Sequence, residues 1–174
     1  RVSAFLGITT MINWMMAVEG FEDYDLSSLR NFQYGGGPMP RSVVEAALKA
    51  FPCTMIQGYG QTEGMTMTFL SQEDHQRAVA GDHPERLGSC GREGFVSEIR
   101  VVDPEGEPVP RDGQTAGEIV VRSEANMLGY WRRPDLTEQT LRSGWMWTGD
   151  IATWDAEGYV FIVDRAKDMI ISGG

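Results

Sequence analysis

The chain has 174 residues, of which 41% are hydrophobic, enough for one ordinary domain or two small lobes with a core. Its net charge is −10 and no stretch is rich in Lys or Arg, which argues against a nucleic-acid partner. No apolar run approaches the roughly 20 residues that span a bilayer, and the start shows neither Met nor a signal-peptide pattern. We therefore expect a globular excerpt of a longer chain.

The first 69 residues alternate strand-like apolar runs with helical stretches, a pattern typical of an α/β fold. Thr9 or Thr10 is placed to cap the first helix, and Pro52 is placed to end the second. We predict strands at residues 2–8, 29–34 and 53–57. One face of the second helix carries apolar residues at helical spacing, namely Val44, Ala47, Leu48 and Phe51.

Beyond residue 70 the pattern changes. Residues 71–84 are polar, and we predict a long surface loop there. Short β-like runs separated by turn signals follow, at residues 96–102, 117–122, 151–154 and 159–163. We expect an α/β portion over residues 1–85, a β-rich, barrel-like lobe over 86–166 and the start of a hinge over 167–174, which together make an α/β (α+β) fold.

The cysteines and histidines give no strong signature. Cys53 and Cys90 lie outside any CxxC spacing, which predicts reduced, buried thiols in a cytoplasmic protein. His75 and His83 lie among carboxylates and could bind a metal, although a solvated acidic loop explains them better.

The last predicted hairpin places an acid and a cation together. If Trp154 pairs with Tyr159, Asp150 lies opposite Val163, and Asp150 and Arg165 share one end of the ladder. A carboxylate can accept from ribose hydroxyls while a guanidinium donates to ribose or phosphate oxygens. The alternative is an ordinary strand-entry turn, with the arginine paired to a neighbouring aspartate on the surface.

Residues 58–63 are predicted to form a turn at the end of a strand, where ligand groups collect in α/β folds. Tyr59 offers a ring for stacking on adenine, Thr62 a hydroxyl for a phosphate and Glu63 an oxygen ligand for Mg²⁺. A plain loop or helix cap is the alternative reading of this segment alone.

Residues 35–38, Gly-Gly-Gly-Pro, lack side chains over three positions, so a ring or an acyl chain could lie against the backbone. They do not form a Walker loop, because no Gly-Lys-Ser/Thr follows. A flexible connection is the alternative.

The order and spacing of these motifs resemble the adenylate-forming family of acyl-CoA synthetases, peptide-synthetase adenylation domains and beetle luciferases. The resemblance runs from Gly-Gly-Gly-Pro through Gly-Tyr-Gly-Gln-Thr-Glu and Gly-Tyr-Trp to Thr-Gly-Asp and Arg-Ala-Lys-Asp. It implies an enzyme that joins ATP to a carboxylic acid, giving acyl-AMP and pyrophosphate.

The resemblance assigns a role to each matching position. Thr62 would meet the α-phosphate and Glu63 would hold Mg²⁺, which makes this pair the candidate catalytic residues. Asp150 and Arg165 would bind the ribose, and Gly35 would border the acyl tunnel. The remaining nucleotide-site residues are Gly36, Gly37 and Pro38 at the adenine, Tyr59 stacked on it, and Gln57, Gly58, Gly60 and Gln61 around them.

The final motif resembles the acyl-CoA synthetase branch, which transfers the acyl group to CoA. Lys167 would lie at the hinge to a small C-terminal domain, and Ser172 and Gly173 would lie towards CoA. A fatty or aryl acid is the expected substrate.

Two parts of the family pattern are missing from these 174 residues: the Ser/Thr/Gly-rich pyrophosphate loop and the C-terminal catalytic lysine. We therefore expect the chain alone to be inactive. An adenylation domain that loads a carrier protein, or a non-catalytic nucleotide-binding module, is the alternative function.

Overall fold

A computed structural model describes residues 1–37 and 39–165 of the chain. These residues form a mixed α/β architecture with two five-stranded sheets, which confirms the predicted fold class. The chain divides into two compact units, one of residues 1–59 and 69–91, the other of residues 60–68 and those from 92 onward. Within the described residues, no helix is both long enough and apolar enough to cross a membrane.

The first unit is built on parallel strands joined by helices. β1 pairs with β2, and β2 pairs with β3, both in parallel register. The elements in chain order are β1 (Ala4–Gly7), α1 (Thr9–Met16), β2 (Asn31–Gly35), α2 (Arg41–Ala50), β3 (Thr54–Gln61), β4 (Met65–Leu70) and α3 (Gln72–Val79). β3 ends in the second unit, and β4 begins there before it returns to the first. The three predicted strands are confirmed, with the first two beginning two residues later than expected.

The core of the first unit forms where α2 meets the parallel strands. Val44, Ala47 and Phe51 are buried as predicted, and the Phe51 ring packs edge-on against Phe32 of β2 with ring centroids 4.9 Å apart. Burial of each such aromatic or aliphatic side chain contributes about 1.5–3 kcal/mol. The helical spacing of the apolar residues therefore predicted this face correctly.

The cap predicted for the first helix is wrong. α1 begins at Thr9 itself, and its N-cap is Ile8, which has no side-chain oxygen to accept a hydrogen bond. The N-cap residue has non-helical backbone angles, so a threonine inside the helix cannot be the N-cap.

The surface loop predicted at residues 71–84 is also wrong, because α3 occupies its first half. Ser71 caps this helix: its hydroxyl accepts from the Asp74 amide, and the Asp74 carboxylate accepts from the Ser71 amide. This reciprocal capping box satisfies two backbone donors that would otherwise lack partners. The Ser-x-x-Asp spacing carried this signal in the sequence.

His75 is fully buried in α3 instead of solvated. Its Nδ1 lies 2.6 Å from the Ser71 carbonyl, which can only accept, so Nδ1 carries the proton. Nε2 therefore accepts from the Tyr34 hydroxyl at 2.7 Å. Desolvation lowers the pKa of His75 below its ordinary value.

We expect the stability of the chain to fall as the pH drops below about 6.5, the ordinary pKa of histidine. Below that pH the unfolded state binds a proton at His75, whereas the folded state, in which the ring is buried, does not. The contribution of His75 to the free energy of unfolding is therefore complete above that pH and is lost as the pH falls towards the lower pKa of the folded state. The loss between pH 7.5 and 5.5 is at most about 1.4 kcal/mol. Urea unfolding at the two pH values measures it, and His75→Gln should remove that part of the pH dependence. An equal pH dependence in the variant would contradict this assignment.

The second unit contains an antiparallel sheet in the order β10-β9-β7-β6, with β8 paired to β9. The four predicted β-like runs all lie in this sheet. Helix α4 and the short strands β5 and β8 were not predicted. The elements in chain order are β5 (Arg92–Glu93), β6 (Ser97–Val102), β7 (Gly117–Ser123), α4 (Pro134–Thr140), β8 (Leu141–Arg142), β9 (Trp145–Trp154) and β10 (Val160–Arg165).

The register predicted for the last hairpin is wrong by one residue at its tip and by two at its base. Trp154 pairs with Val160, not Tyr159, and a shift after Ile162 makes Arg165 the partner of Asp150. The Asp155 carboxylate accepts from the amides of Glu157 and Tyr159, and these bonds stabilise a five-residue loop. Asp150 and Arg165 are therefore direct cross-strand neighbours.

Candidate functional site

In the first unit, the candidate glycines lie at the carboxyl edge of the parallel strands. Gly35 ends β2 and pairs with Gly58 of β3. A β-carbon on Gly35 would overlap the Gly58 carbonyl oxygen, so the close approach of the strands requires glycine. Gly36 has a positive φ of 77°, and a β-carbon on Gly37 would meet no atom of the described residues within 4 Å. Pro38 lies outside the described residues.

The turn predicted at residues 58–63 is wrong for its first four residues. Gly58 to Gln61, including Gly60, belong to β3, and the chain reverses only at Thr62, Glu63 and Gly64. The Gly64 amide donates to the Gln61 carbonyl at 3.1 Å to close this turn. Apolar and polar residues do not alternate clearly in Gly-Tyr-Gly-Gln, so the sequence did not predict that β3 continues through these four residues.

The Tyr59 side chain and one atom of Gln57, its Oε1, are shielded from solvent in the first unit. Tyr59 is only 9% exposed. Gln57 carries a buried Oε1 that no donor of the described residues reaches. An acceptor left in this state costs about 1–3 kcal/mol unless a ligand or water donates to it.

In the second unit, Gln61 connects the end of β3 with the middle of β9. Its Nε2 donates to the Thr148 carbonyl at 3.0 Å and lies 3.4 Å from Asp150 Oδ2. The amide of Asp150 donates to the Thr148 hydroxyl at 3.1 Å. Asp150 is 3% exposed, and its backbone pairs with that of Arg165. The structure thus brings Gln61, Asp150 and the Arg165 backbone together across about 90 residues of sequence.

The turn that carries Thr62 and Glu63 is connected to a later segment of the second unit. The Tyr130 hydroxyl donates to Glu63 Oε1 at 2.8 Å, and the Met127 amide donates to the Glu63 carbonyl at 2.6 Å. Desolvation raises the pKa of Tyr130, and the hydrogen bond to Glu63 raises it further. The Gly-Tyr-Trp motif that contains Tyr130 indicates the family but not this contact, because spacing across 67 residues does not predict which side chains meet.

The side chains near this turn suit a metal ion that is held mainly by the phosphates of a bound nucleotide. The described residues include no group of three His, Cys, Asp or Glu side chains that could hold a metal by itself. Mg²⁺ commonly takes one or two protein carboxylates and completes its shell with phosphate oxygens and waters. Glu63 fits that use, whereas buried His75 contacts Tyr34 and Ser71, and His83 contacts Glu85.

Comparison with known proteins gives a consistent match. The family described as AMP-binding enzyme matches residues 1–131. A feruloyl-CoA synthase from an Amycolatopsis species is 41% identical over the whole chain, which covers 33% of that protein. A medium/long-chain-fatty-acid–CoA ligase from Mycobacterium tuberculosis is 35% identical, again over the whole chain and 29% of the relative.

Solved structures of similar sequence also share the fold of this chain. The amide bond synthetase McbA from Marinactinospora thermotolerans superposes with a TM-score of 0.87 at 34% identity, over 97% of this chain and 32% of that one. The chain therefore spans about a third of the length of the proteins it matches.

Proposed function

Because this chain belongs to the AMP-binding enzyme family, we propose that it supplies part of the nucleotide site of an acyl-CoA synthetase. The complete enzyme would join a carboxylic acid to the α-phosphate of ATP, releasing pyrophosphate and leaving acyl-AMP. The thiol of CoA would then take the acyl group and release AMP. ATP, Mg²⁺ and CoA are the implied cofactor and co-substrates.

The observation that carries this proposal is the meeting of Gln61, Asp150 and Arg165 in the second unit. Gln61 donates towards Asp150, and Arg165 is the cross-strand partner of Asp150. A buried carboxylate beside a cation-bearing strand position suits the two vicinal hydroxyls of a ribose, which donate to carboxylate oxygens. Each such charged hydrogen bond contributes about 1.5–3 kcal/mol.

The base and the acyl group would use the first unit. Gly36, Gly37 and Pro38 would lie against adenine, Tyr59 would pack on its ring, and Gly35 would border the acyl chain. The buried Gln57 Oε1 supports this assignment, since an amino group of the base could supply the donor that the described residues do not. Gly58 and Gly60 would border the nucleotide, and Gly60 also has a structural reason to be glycine, because a β-carbon there would overlap the Met65 carbonyl oxygen.

The phosphates and the metal would use the turn after β3. Thr62 offers a hydroxyl to the α-phosphate, and Glu63 offers a carboxylate to Mg²⁺. When bound, the metal would offset charge on the phosphates. The residues themselves would position the α-phosphate for in-line attack by the substrate carboxylate. Arg165 would add a second cation at the ribose end.

The names of the relatives support a proposal for the substrate class. The matched proteins are named for an aryl acid and for fatty acids, so we propose an acid of one of these classes. Lys167, Ser172 and Gly173, the hinge and CoA candidates, lie outside the described residues. The thiols of Cys53 and Cys90 are reduced, which supports the cytoplasm as the compartment.

A second candidate differs only in the acyl acceptor. The match to an amide bond synthetase favours an enzyme that passes the acyl group from acyl-AMP to an amine. A carrier-protein thiol is a third possible acceptor. All three share the adenylation step, so the nucleotide-site assignments are the same.

The test uses the complete protein that carries this chain. Exchange of labelled pyrophosphate into ATP should depend on an added aryl or fatty acid, and product formation with CoA, an amine or a carrier protein should then identify the acceptor. The isolated 174-residue chain should catalyse no exchange. The proposal fails if no acid in such a panel supports exchange by the complete protein.

A further inference from the structure

We propose that Tyr130 is a positioning residue that orients the Glu63 carboxylate towards a nucleotide-bound divalent cation. The inference rests on the function proposed above, and it assigns a role to the tyrosine of the Gly-Tyr-Trp motif, which lies 67 residues after Glu63 in sequence. All the contacts that support it lie within the second unit.

The contact between the two side chains is direct and one-sided. The Tyr130 hydroxyl donates to Glu63 Oε1 at 2.8 Å. Within the part of the chain that the structure describes, no other hydrogen bond to this carboxylate is formed, so Oε2 keeps its acceptor capacity. A carboxylate fixed through one oxygen presents the other in a defined direction, which is how an outer partner orients a metal ligand.

Tyr130 is itself held by α4. Its amide donates to the Thr137 hydroxyl at 2.9 Å, and that hydroxyl donates to the Arg133 carbonyl at 2.9 Å. Gly129 precedes it with a φ of 148°, and a β-carbon there would come within 2.9 Å of the Thr137 side chain. The phenol is therefore presented from a backbone that is fixed by a helix.

The backbone of Glu63 is fixed by a separate contact. The Met127 amide donates to the Glu63 carbonyl at 2.6 Å. At the next residue, Gly64, a β-carbon would approach the Met146 methyl group to 2.7 Å, so the turn packs tightly against β9. With the backbone of the turn held, the side-chain torsions of Glu63 are its remaining freedom, and the bond to Tyr130 restricts them.

This restriction matters for magnesium in particular. Mg²⁺ demands near-ideal octahedral geometry, so a ligand that must first be ordered binds it less well. Loss of an outer-shell partner typically lowers metal affinity by about 10–100-fold. A bond with a purely structural role would instead affect folding and leave metal dependence unchanged.

The test compares Tyr130→Phe with Glu63→Gln and the double variant in the complete protein. Calorimetry gives the Kd of ATP with Mg²⁺ and with EDTA, and the ratio of the two is the magnesium enhancement. We expect Tyr130→Phe to cut this enhancement about tenfold while leaving the Kd in EDTA unchanged. Glu63→Gln should abolish it, and the double variant should match Glu63→Gln. Tyr24→Phe, a hydroxyl deletion at an exposed tyrosine of the other unit, should behave as wild type.

The outcomes separate the inference from the function on which it rests. A wild-type protein that shows magnesium-enhanced ATP binding, together with an unchanged enhancement in Tyr130→Phe, overturns the positioning role alone. An equal loss with and without Mg²⁺ also overturns it. A wild-type protein that binds no ATP overturns both the positioning role and the proposed function. If the effects of the two substitutions on Tm are then not additive, the contact between Tyr130 and Glu63 stabilises the fold only.

Discussion

Asp150→Asn should weaken binding of a non-hydrolysable acyl-adenylate mimic by at least about tenfold in the complete protein. The substitution keeps the size of the side chain but replaces one carboxylate oxygen by an amide that cannot accept from a hydroxyl. Loss of one charged hydrogen bond costs about 1.5–3 kcal/mol, and each 1.4 kcal/mol is a factor of ten in Kd. Calorimetry or competition with a fluorescent nucleotide measures the change.

The fold should survive this substitution. Asparagine can still accept from Gln61 Nε2, which lies 3.4 Å from Asp150 Oδ2, and the pairing of Asp150 with Arg165 of β10 is made by the backbone. Asp82→Asn, the same change at an exposed carboxylate paired with Arg77, is the matched control and should bind the mimic as wild type does. Wild-type affinity in Asp150→Asn would remove Asp150 from the ribose site.

Periodic apolar patterns predicted the parallel strands β1 to β3, the main strands of the second sheet and the core face of α2, but not β4, because the predicted residues are selected by burial alone. Val44 and Ala47 follow the helical repeat, and one face buries them. The apolar pattern gave the wrong prediction where side-chain hydrogen bonds determine the secondary structure. Residues 72–79 are helical because of the Ser71 capping box and because Tyr34 and Ser71 pair with the ring of His75, whereas their composition resembles that of a loop.

The candidate site divides in the same way. The pairing of Asp150 with Arg165 could be approximated, since both lie near the base of one hairpin, although the loop set by Asp155 changed the register. The contact from Tyr130 to Glu63 could not be predicted, because it depends on how a turn and a later segment meet in space. Short-range spacing thus identifies candidate ligands, while tertiary contacts determine how they are oriented.

The three glycines at the end of β2 differ in the substitutions they tolerate, and Gly35 is the most restricted of them. Gly35→Ala should destabilise the 174-residue chain by about 3 kcal/mol, at the upper end of the usual cost of overpacking. The added methyl group would overlap the carbonyl oxygen of Gly58 and lie 3.2 Å from its carbon. Both atoms belong to the backbone of the paired strand β3. The overlap can therefore be relieved only if β2 and β3 move apart where Gly35 pairs with Gly58. A loss of this size lowers Tm by roughly 6–12 °C in a chain of this length.

Gly37→Ala provides the matched control, because its β-carbon would meet nothing within 4 Å in the part of the chain that the structure describes. We expect its thermal unfolding to stay close to that of wild type, so the pair separates a steric requirement from a general preference for glycine in this segment. In the complete protein, Gly37→Ala should also weaken adenylate binding if the base lies against this backbone, whereas the chain's stability stays unchanged. Equal melting temperatures for Gly35→Ala and wild type would show that the strand ends can move apart at little cost. The close approach of Gly35 to Gly58 would then not be a fixed feature of the site.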